Sequence, residues 1–392
     1  MELNMFGIKT MNKISPAGLM HFNAGEFLCG DDIENPDAII VRSASLHEMQ
    51  LPSTLKAVAR AGAGVNNIPL DKCSEAGVVV FNTPGANANG VKELVIAAMI
   101  MTARNVIDAV EWAKTLKGSG DDVPKLVEKG KGKFAGPELA GKKLGVIGLG
   151  AIGVMVANAA HSLDMDVYGY DPFLSVDAAW GISRSINRAS SLKEIYEKCD
   201  FITVHVPLTS ETLGIYNAES FAMMKRGVRL FNFARGELAV GADIIAGLES
   251  GHIASYTIDF PSDELLGVHG VISVPHLGAS TPESEDNCAS MAVQELISFL
   301  KTGAIKNSVN FPNADMPFSS KTRITVIHRN IPNMISQISA CFSQENFNIE
   351  NLLDKSKKEN AYTIVDVDGE YVDKVVEKLK AVEGVIKVRV IV

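Results

Sequence analysis

The 392 residues, 46% of them hydrophobic and 21% charged, are enough for two or three ordinary globular domains. A net charge of −9 leaves no basic footprint for nucleic acid, and the short cluster Lys355, Lys357 and Lys358 reads as solvated surface. No apolar run is long enough for a membrane span and no charged-then-apolar leader opens the chain, so the expected compartment is the cytoplasm. The five cysteines are scattered without metal-type spacing, so reduced thiols and no metal site are expected.

In chain order, apolar stretches between turn signals predict strands at Met5–Ile8, Ala38–Val41 and Val78–Phe81, and a helix at Pro52–Arg60. Strands alternating with helices predict a parallel sheet. Arg60-Ala61-Gly62-Ala63-Gly64 is a loop whose glycines would bring backbone N–H groups close to an anion beside a basic side chain. A long helical pattern follows over Val91–Leu116.

A second set of strands is expected at 143–147, 166–170, 201–204, 228–231, 255–258 and 271–274. The first breaks into Gly148-x-Gly150-x-x-Gly153 ahead of an Ala/Val-rich helix: strand, tight turn, helix, with the helix N-terminus facing a pyrophosphate. The second ends in Asp171, about 20 residues on, placed to accept from ribose hydroxyls and to repel a 2′-phosphate. That combination predicts NAD over NADP. A helix over Glu285–Thr302 would return the chain to the first lobe, and 304–320 reads as a linker. The remainder alternates as strand, helix, two strands, helix, strand, the split ferredoxin-like pattern. Its small core predicts docking on the body or pairing with a second copy.

Oxidising an alcohol onto a nicotinamide needs a base and a carboxylate anchor. Arg235, the acids Asp259, Asp263 and Glu264, and His276 all fall beyond carboxyl ends of predicted strands, where α/β sheets bind ligands. Val204-His205-Val206-Pro207 ends another strand, where a lone histidine is more often surface than catalytic.

In order, Gly148-x-Gly150-x-x-Gly153, Asp171, Val206-Pro207-Leu208-Thr209, Asn232-x-Ala234-Arg235-Gly236, Asp259 to Glu264 and Pro275-His276-Leu277-Gly278-Ala279-Ser280-Thr281 resemble the D-isomer-specific 2-hydroxyacid dehydrogenase family. The resemblance implies two Rossmann-like doubly wound α/β lobes plus a C-terminal ferredoxin-like (ACT) domain. The expected extents are 1–96 with 287–318 for a flavodoxin-like substrate lobe, 97–286 for the NAD-binding domain and 319–392 for the ACT domain.

It further implies His276 as acid/base, Glu264 as its partner and Arg235 as carboxylate anchor, with Asp263 as the alternative should the register slip by one. NAD would be held by Gly148, Gly150, Ala151, Ile152, Gly153, Asp171, His205, Val206, Pro207, Ala234, Arg235, Asp259, His276, Gly278 and Ala279. The ACT-bearing branch of the family implies 3-phosphoglycerate as substrate, held by Arg42, Ser43, Arg60, Gly62, Ala63 and Gly64. Lys92, where the family usually has Ala, could add phosphate charge or simply face solvent. L-serine is the implied effector, bound by His328, Asn330 and Asn348 between paired units of a homo-oligomer, dimer or tetramer. The alternatives are another 2-hydroxy acid (glycerate, lactate, 2-hydroxyglutarate) or a corepressor-like protein that senses NAD.

Overall fold

The computed structural model describes residues 5–318 and 320–392. Two compact units divide the chain: one runs to Asn87 and resumes over Glu285–Val392, and the other is Ala88–Ser284.

The first unit opens with β1 (Phe6–Met11), β2 (Phe27–Gly30), β3 (Ala38–Val41), β4 (Ala57–Arg60) and β5 (Val79–Phe81), all parallel in the order β2-β1-β3-β4-β5. That is the flavodoxin-like winding, with its switch point between β1 and β3. β3 and β5 are wholly buried, which is why they read as unbroken apolar runs. The helix expected at Pro52–Arg60 is instead a turn followed by β4. Ala57, Val58 and Ala59 are fully buried and pair with strands on both sides, and tertiary pairing overrides the helix propensity of alanine. β2 escaped the sequence because it is a four-residue edge strand with exposed Leu28 and Cys29.

In the second unit, β6 (Lys143–Ile147), β7 (Asp166–Tyr170), β8 (Asn187–Arg188), β9 (Phe201–Val204), β10 (Val228–Asn232), β11 (Ile253–Ile258) and β12 (Val271–Ser273) form a parallel sheet ordered β12-β11-β10-β9-β6-β7-β8. The strand beyond the six expected, β8, has two residues, too few to show periodicity. The switch point lies between β6 and β9, so a ligand crevice opens beyond Ile147 and Val204. The pattern over Val91–Leu116 is two helices, Ala88–Ala103 and Val106–Lys114, because Asn105 takes a left-handed conformation (φ 48°) that stops the first.

The C-terminal part of the first unit has β13 (Thr322–Arg329), β14 (Ile349–Lys357), β15 (Asn360–Val367) and β16 (Val385–Ile391) in the antiparallel order β14-β15-β13-β16. Helices Met334–Ser343 and Asp373–Ala381 cover one face, burying Ile324, Val326, Ile338, Val365 and Leu379. The other face docks on the lobe: Ile327, Tyr362 and Ile364 join one core with Phe299, Ile305 and Phe311. Tyr362 donates its hydroxyl to Gly303 O at 2.7 Å, and Arg389 and Arg323 donate to the carbonyls of Leu300 and Thr302, each at 2.9 Å. These donors satisfy carbonyls that the Pro282–Thr302 helix leaves open at its end. The 304–318 stretch of that expected linker is therefore not free. Phe311 is fully buried, and Ile305 and Ala314 exchange backbone hydrogen bonds.

Candidate active site

The glycine loop after β6 is built as its sequence requires. Gly148 has φ 89°, and a Cβ there would meet His205 O at 2.6 Å. Gly150 has nothing within 4 Å of where its Cβ would stand. It precedes the Ala151–His161 helix, which has no side-chain cap, so first-turn N–H groups, those of Ala151 and Ile152 among them, remain for an anion. Asp171 at the end of β7 accepts from Leu149 N–H and Phe173 N–H, each at 2.8 Å, and so ties the loop to the ribose position.

Across the switch point, His205 follows β9 with Nε2 2.9 Å from Thr203 Oγ1, while buried Nδ1 has no partner among the described residues. Burial pushes this imidazole down to about 3, so it stays neutral. It is thus no proton carrier, and the residue as a whole is half-buried. An uncapped helix end, an open glycine and an orphaned imidazole nitrogen fit a dinucleotide. Val206 and Pro207 continue the same rim.

Beyond β10, the fully buried Asn232 accepts from Ala234 N–H (3.1 Å) and Arg235 N–H (3.3 Å), and its amide donates to Arg235 O (2.7 Å) and Tyr256 Oη (3.1 Å). The Arg235 guanidinium therefore projects from a fixed backbone and stays exposed, with Nη1 on Ala234 O at 2.6 Å. Asn232 escaped notice as a site residue, although it stands within the Asn-x-Ala-Arg-Gly motif.

His276 is exposed, its ring centroid 4.8 Å from that of Phe260, and its backbone is left-handed (φ 54°). Beneath it the buried Asp259 accepts from Leu277 N–H at 2.7 Å and Gly278 N–H at 2.8 Å. The expected pairing of His276 with Glu264 is not made. The Glu264 carboxylate lies against Gly241, where any larger residue would collide with it, and neither Glu264 nor Asp263 is ion-paired with the histidine. Ala279 follows Gly278, which packs against Val91 of the Ala88–Ala103 helix.

In the other unit, Arg42 and Arg60 leave the ends of the adjacent strands β3 and β4, and Arg60 Nε donates to Arg42 O at 3.1 Å. Gly62, with φ 143°, leaves the space that the Arg60 guanidinium fills. Burial lowers the Arg60 pKa from its usual value, Cys288 opposes that and Arg42 adds to it. Arg42 is ion-paired with Glu285 at 2.6 Å. Ser43 N–H is taken by Asn12 Oδ1 at 3.2 Å, and Ala63 O accepts from Asn82 at 2.6 Å, while Gly64 is half-buried. Lys92 belongs to the second unit, half-buried, with Nζ 3.5 Å from Glu93 Oε1.

The expected effector residues do not converge within one chain. β15 is antiparallel to both β13 and β14, so β13 and β14 run in the same direction, with His328 and Asn330 at one end and Asn348 at the other. Eight residues of strand separate the ends by about 25 Å. His328 is buried, with Nε2 2.9 Å from Thr363 Oγ1 and 3.1 Å from Asp354 Oδ1, and Nδ1 2.8 Å from Arg329 O. Asn330 donates to Lys358 O at 2.9 Å, and Asn348 is exposed.

Residues 96–278 match the family described as D-isomer specific 2-hydroxyacid dehydrogenase, NAD binding domain, and residues 324–387 match the AHAS small subunit-like ACT domain. The chain is 33% identical to D-3-phosphoglycerate dehydrogenase of Bacillus subtilis (strain 168), over 87% of this chain and 65% of that protein. It is 35% identical to the Homo sapiens enzyme of the same name, over 74% of this chain and 54% of that protein. It thus spans between about half and two thirds of the length of these relatives. An NAD⁺-bound 3-phosphoglycerate dehydrogenase from Entamoeba histolytica superposes with a TM-score of 0.58 at 25% identity, covering 78% of this chain and 99% of that one. Rhodotorula graminis D-mandelate dehydrogenase, with a TM-score of 0.64 at 24% identity over 80% of this chain and 98% of that one, shares the fold. The chain thus carries an NAD-binding domain of the D-isomer specific 2-hydroxyacid dehydrogenase type at 96–278, followed by an ACT domain at 324–387.

Proposed function

We propose that this protein oxidises 3-phospho-D-glycerate to 3-phosphohydroxypyruvate with NAD, the first step of phosphorylated L-serine biosynthesis. Bound NAD supplies the hydride acceptor at the C2 hydrogen of the substrate. His276 takes the hydroxyl proton as hydride leaves, and Arg235 holds the substrate carboxylate and polarises the forming carbonyl. Arg60 is proposed to hold the phosphate with Arg42, and Lys92 is a further proposed anion contact. The observation that carries the phosphorylated substrate is the Arg60 guanidinium seated in the space that Gly62 leaves beside Arg42.

A second reading, an unphosphorylated 2-hydroxy acid, is favoured by the Arg42–Glu285 ion pair, which offsets part of that positive charge. Steady-state kinetics with 3-phosphoglycerate, glycerate and D-lactate side by side decide between them. The proposal expects kcat/KM to be highest for the phosphorylated acid, and a preference for glycerate or lactate overturns it.

L-serine is proposed as an effector of the ACT domain in a homo-oligomer, and calorimetry with millimolar serine tests that. Since His328 and Asn330 are engaged within their own domain and Asn348 lies at its far end, a serine site using all three requires a second chain.

A further inference from the structure

We infer that Asn82 is the positioning residue of the Arg60–Gly64 loop: its side-chain amide grips the carbonyl side of that loop and so turns the loop's free N–H groups the other way, toward an anion. This rests on the reading of the loop as one that holds the substrate.

Two consecutive carbonyls of the loop turn toward the end of β5. Gly62 O accepts from Thr83 N–H at 3.1 Å, and Ala63 O accepts from Asn82 Nδ2 at 2.6 Å. No peptide among the described residues is cis, and in a planar trans peptide the N–H points away from the carbonyl. Gripping these carbonyls therefore turns the N–H groups of Ala63 and Gly64 away from β5, and neither has a partner among the described residues. Successive N–H groups of this kind, in a loop whose Gly62 borders the Arg60 guanidinium, attract negative charge.

Asn82 can hold the loop because it is itself fixed. Val309 N–H donates to Val80 O at 2.9 Å, Val80 N–H to Asn310 Oδ1 at 2.8 Å and Asn82 N–H to Asn307 O at 3.4 Å, so the 307–310 segment runs along the edge of β5 as far as Asn82. Asn307 is anchored in turn by its amide on Glu295 Oε1 at 2.7 Å. The Thr83 bond is made by backbone and survives any side chain at 82, whereas the bond to Ala63 O needs a side-chain donor there. Among the described residues that amide makes the only hydrogen bond to Ala63 or Gly64, so its loss frees both.

The test uses the full chain with Asn82→Ala and with Asn82→Asp, which keeps the shape and loses the donor. Amide exchange at Thr83 without ligand reads the grip. Steady-state kinetics, with whichever of 3-phosphoglycerate, glycerate and D-lactate the native protein oxidises best, read its consequence. Both variants should exchange the Thr83 amide faster by about three- to tenfold, the range for one neutral hydrogen bond, and raise KM by a similar factor with a smaller effect on kcat. Unchanged exchange at Thr83 overturns the proposal, because the loop is then held without Asn82. A kcat loss larger than the rise in KM also overturns it, as the mark of a general structural defect. Faster exchange with unchanged KM overturns it too, and puts the failure in the reading of the loop as substrate-holding, since exchange is measured without substrate.

Discussion

The Asp171 carboxylate accepts a hydrogen bond from Leu149 N–H at 2.8 Å, joining the end of β7 to the middle of the glycine loop. One side chain thus shapes the glycine turn and stands at the strand end where a ribose is expected.

Asp171→Ser should weaken NAD by about 10- to 100-fold, the range for losing hydrogen bonds to a charged group, while NADP, freed from a like charge, loses far less or gains. Fluorescence titration with both reduced cofactors measures this. Equal loss for both would mean that Asp171 acts only on the loop.

Gly62→Ala should displace the Arg60 guanidinium, because the new methyl would occupy its space and the φ of 143° is strained for alanine. KM for 3-phosphoglycerate should rise about tenfold or more, as when one charged contact is lost, with little change in KM for glycerate. Equal effects on both substrates would make Arg60 a structural residue.

How far the site could be read beforehand follows from which signals are local. Glycine spacing, the strand-end Asp171 and the His276 segment are local patterns, and the comparisons support the family they pointed to. Pairing across the sequence is not local. Nothing near Glu264 indicates that it rests on Gly241, and nothing near Asp259 indicates that its partners lie 18 and 19 residues on. The local sequence around His205 leaves both a surface and a cofactor-binding reading open, because the close approach of Gly148 to the His205 carbonyl joins two strand ends far apart in the chain. The Ala57–Arg60 strand was mistaken for helix because alanine carries helix propensity while its two flanking strands come from elsewhere in the chain.

Glu295 gives a pH test. It is buried in the Pro282–Thr302 helix, with one oxygen accepting from Asn307 at 2.7 Å and the other without a partner among the described residues. Burial, against the Asn307 bond, pushes its carboxyl up to about 8 from a usual 4.5. The folded state therefore binds a proton that the unfolded state has released. The stability this gives is complete below pH 4.5 and is lost as pH rises to about 8. Glu295→Gln cannot ionise, so relative to the native protein it should gain stability between pH 6 and 8, by at most about 1.4 kcal/mol per pH unit. Calorimetric Tm values at pH 6 and pH 8 check the sign, and a difference that does not change with pH would contradict it.

Hydride transfer from C2 of 3-phosphoglycerate to NAD is the central claim. Substrate deuterated at C2, incubated with NAD and the full-length protein, should yield NADH one mass unit heavier, with His276→Ala slowing its formation by about 10²- to 10⁴-fold. Reduced cofactor without deuterium, or none formed at all, would contradict the account.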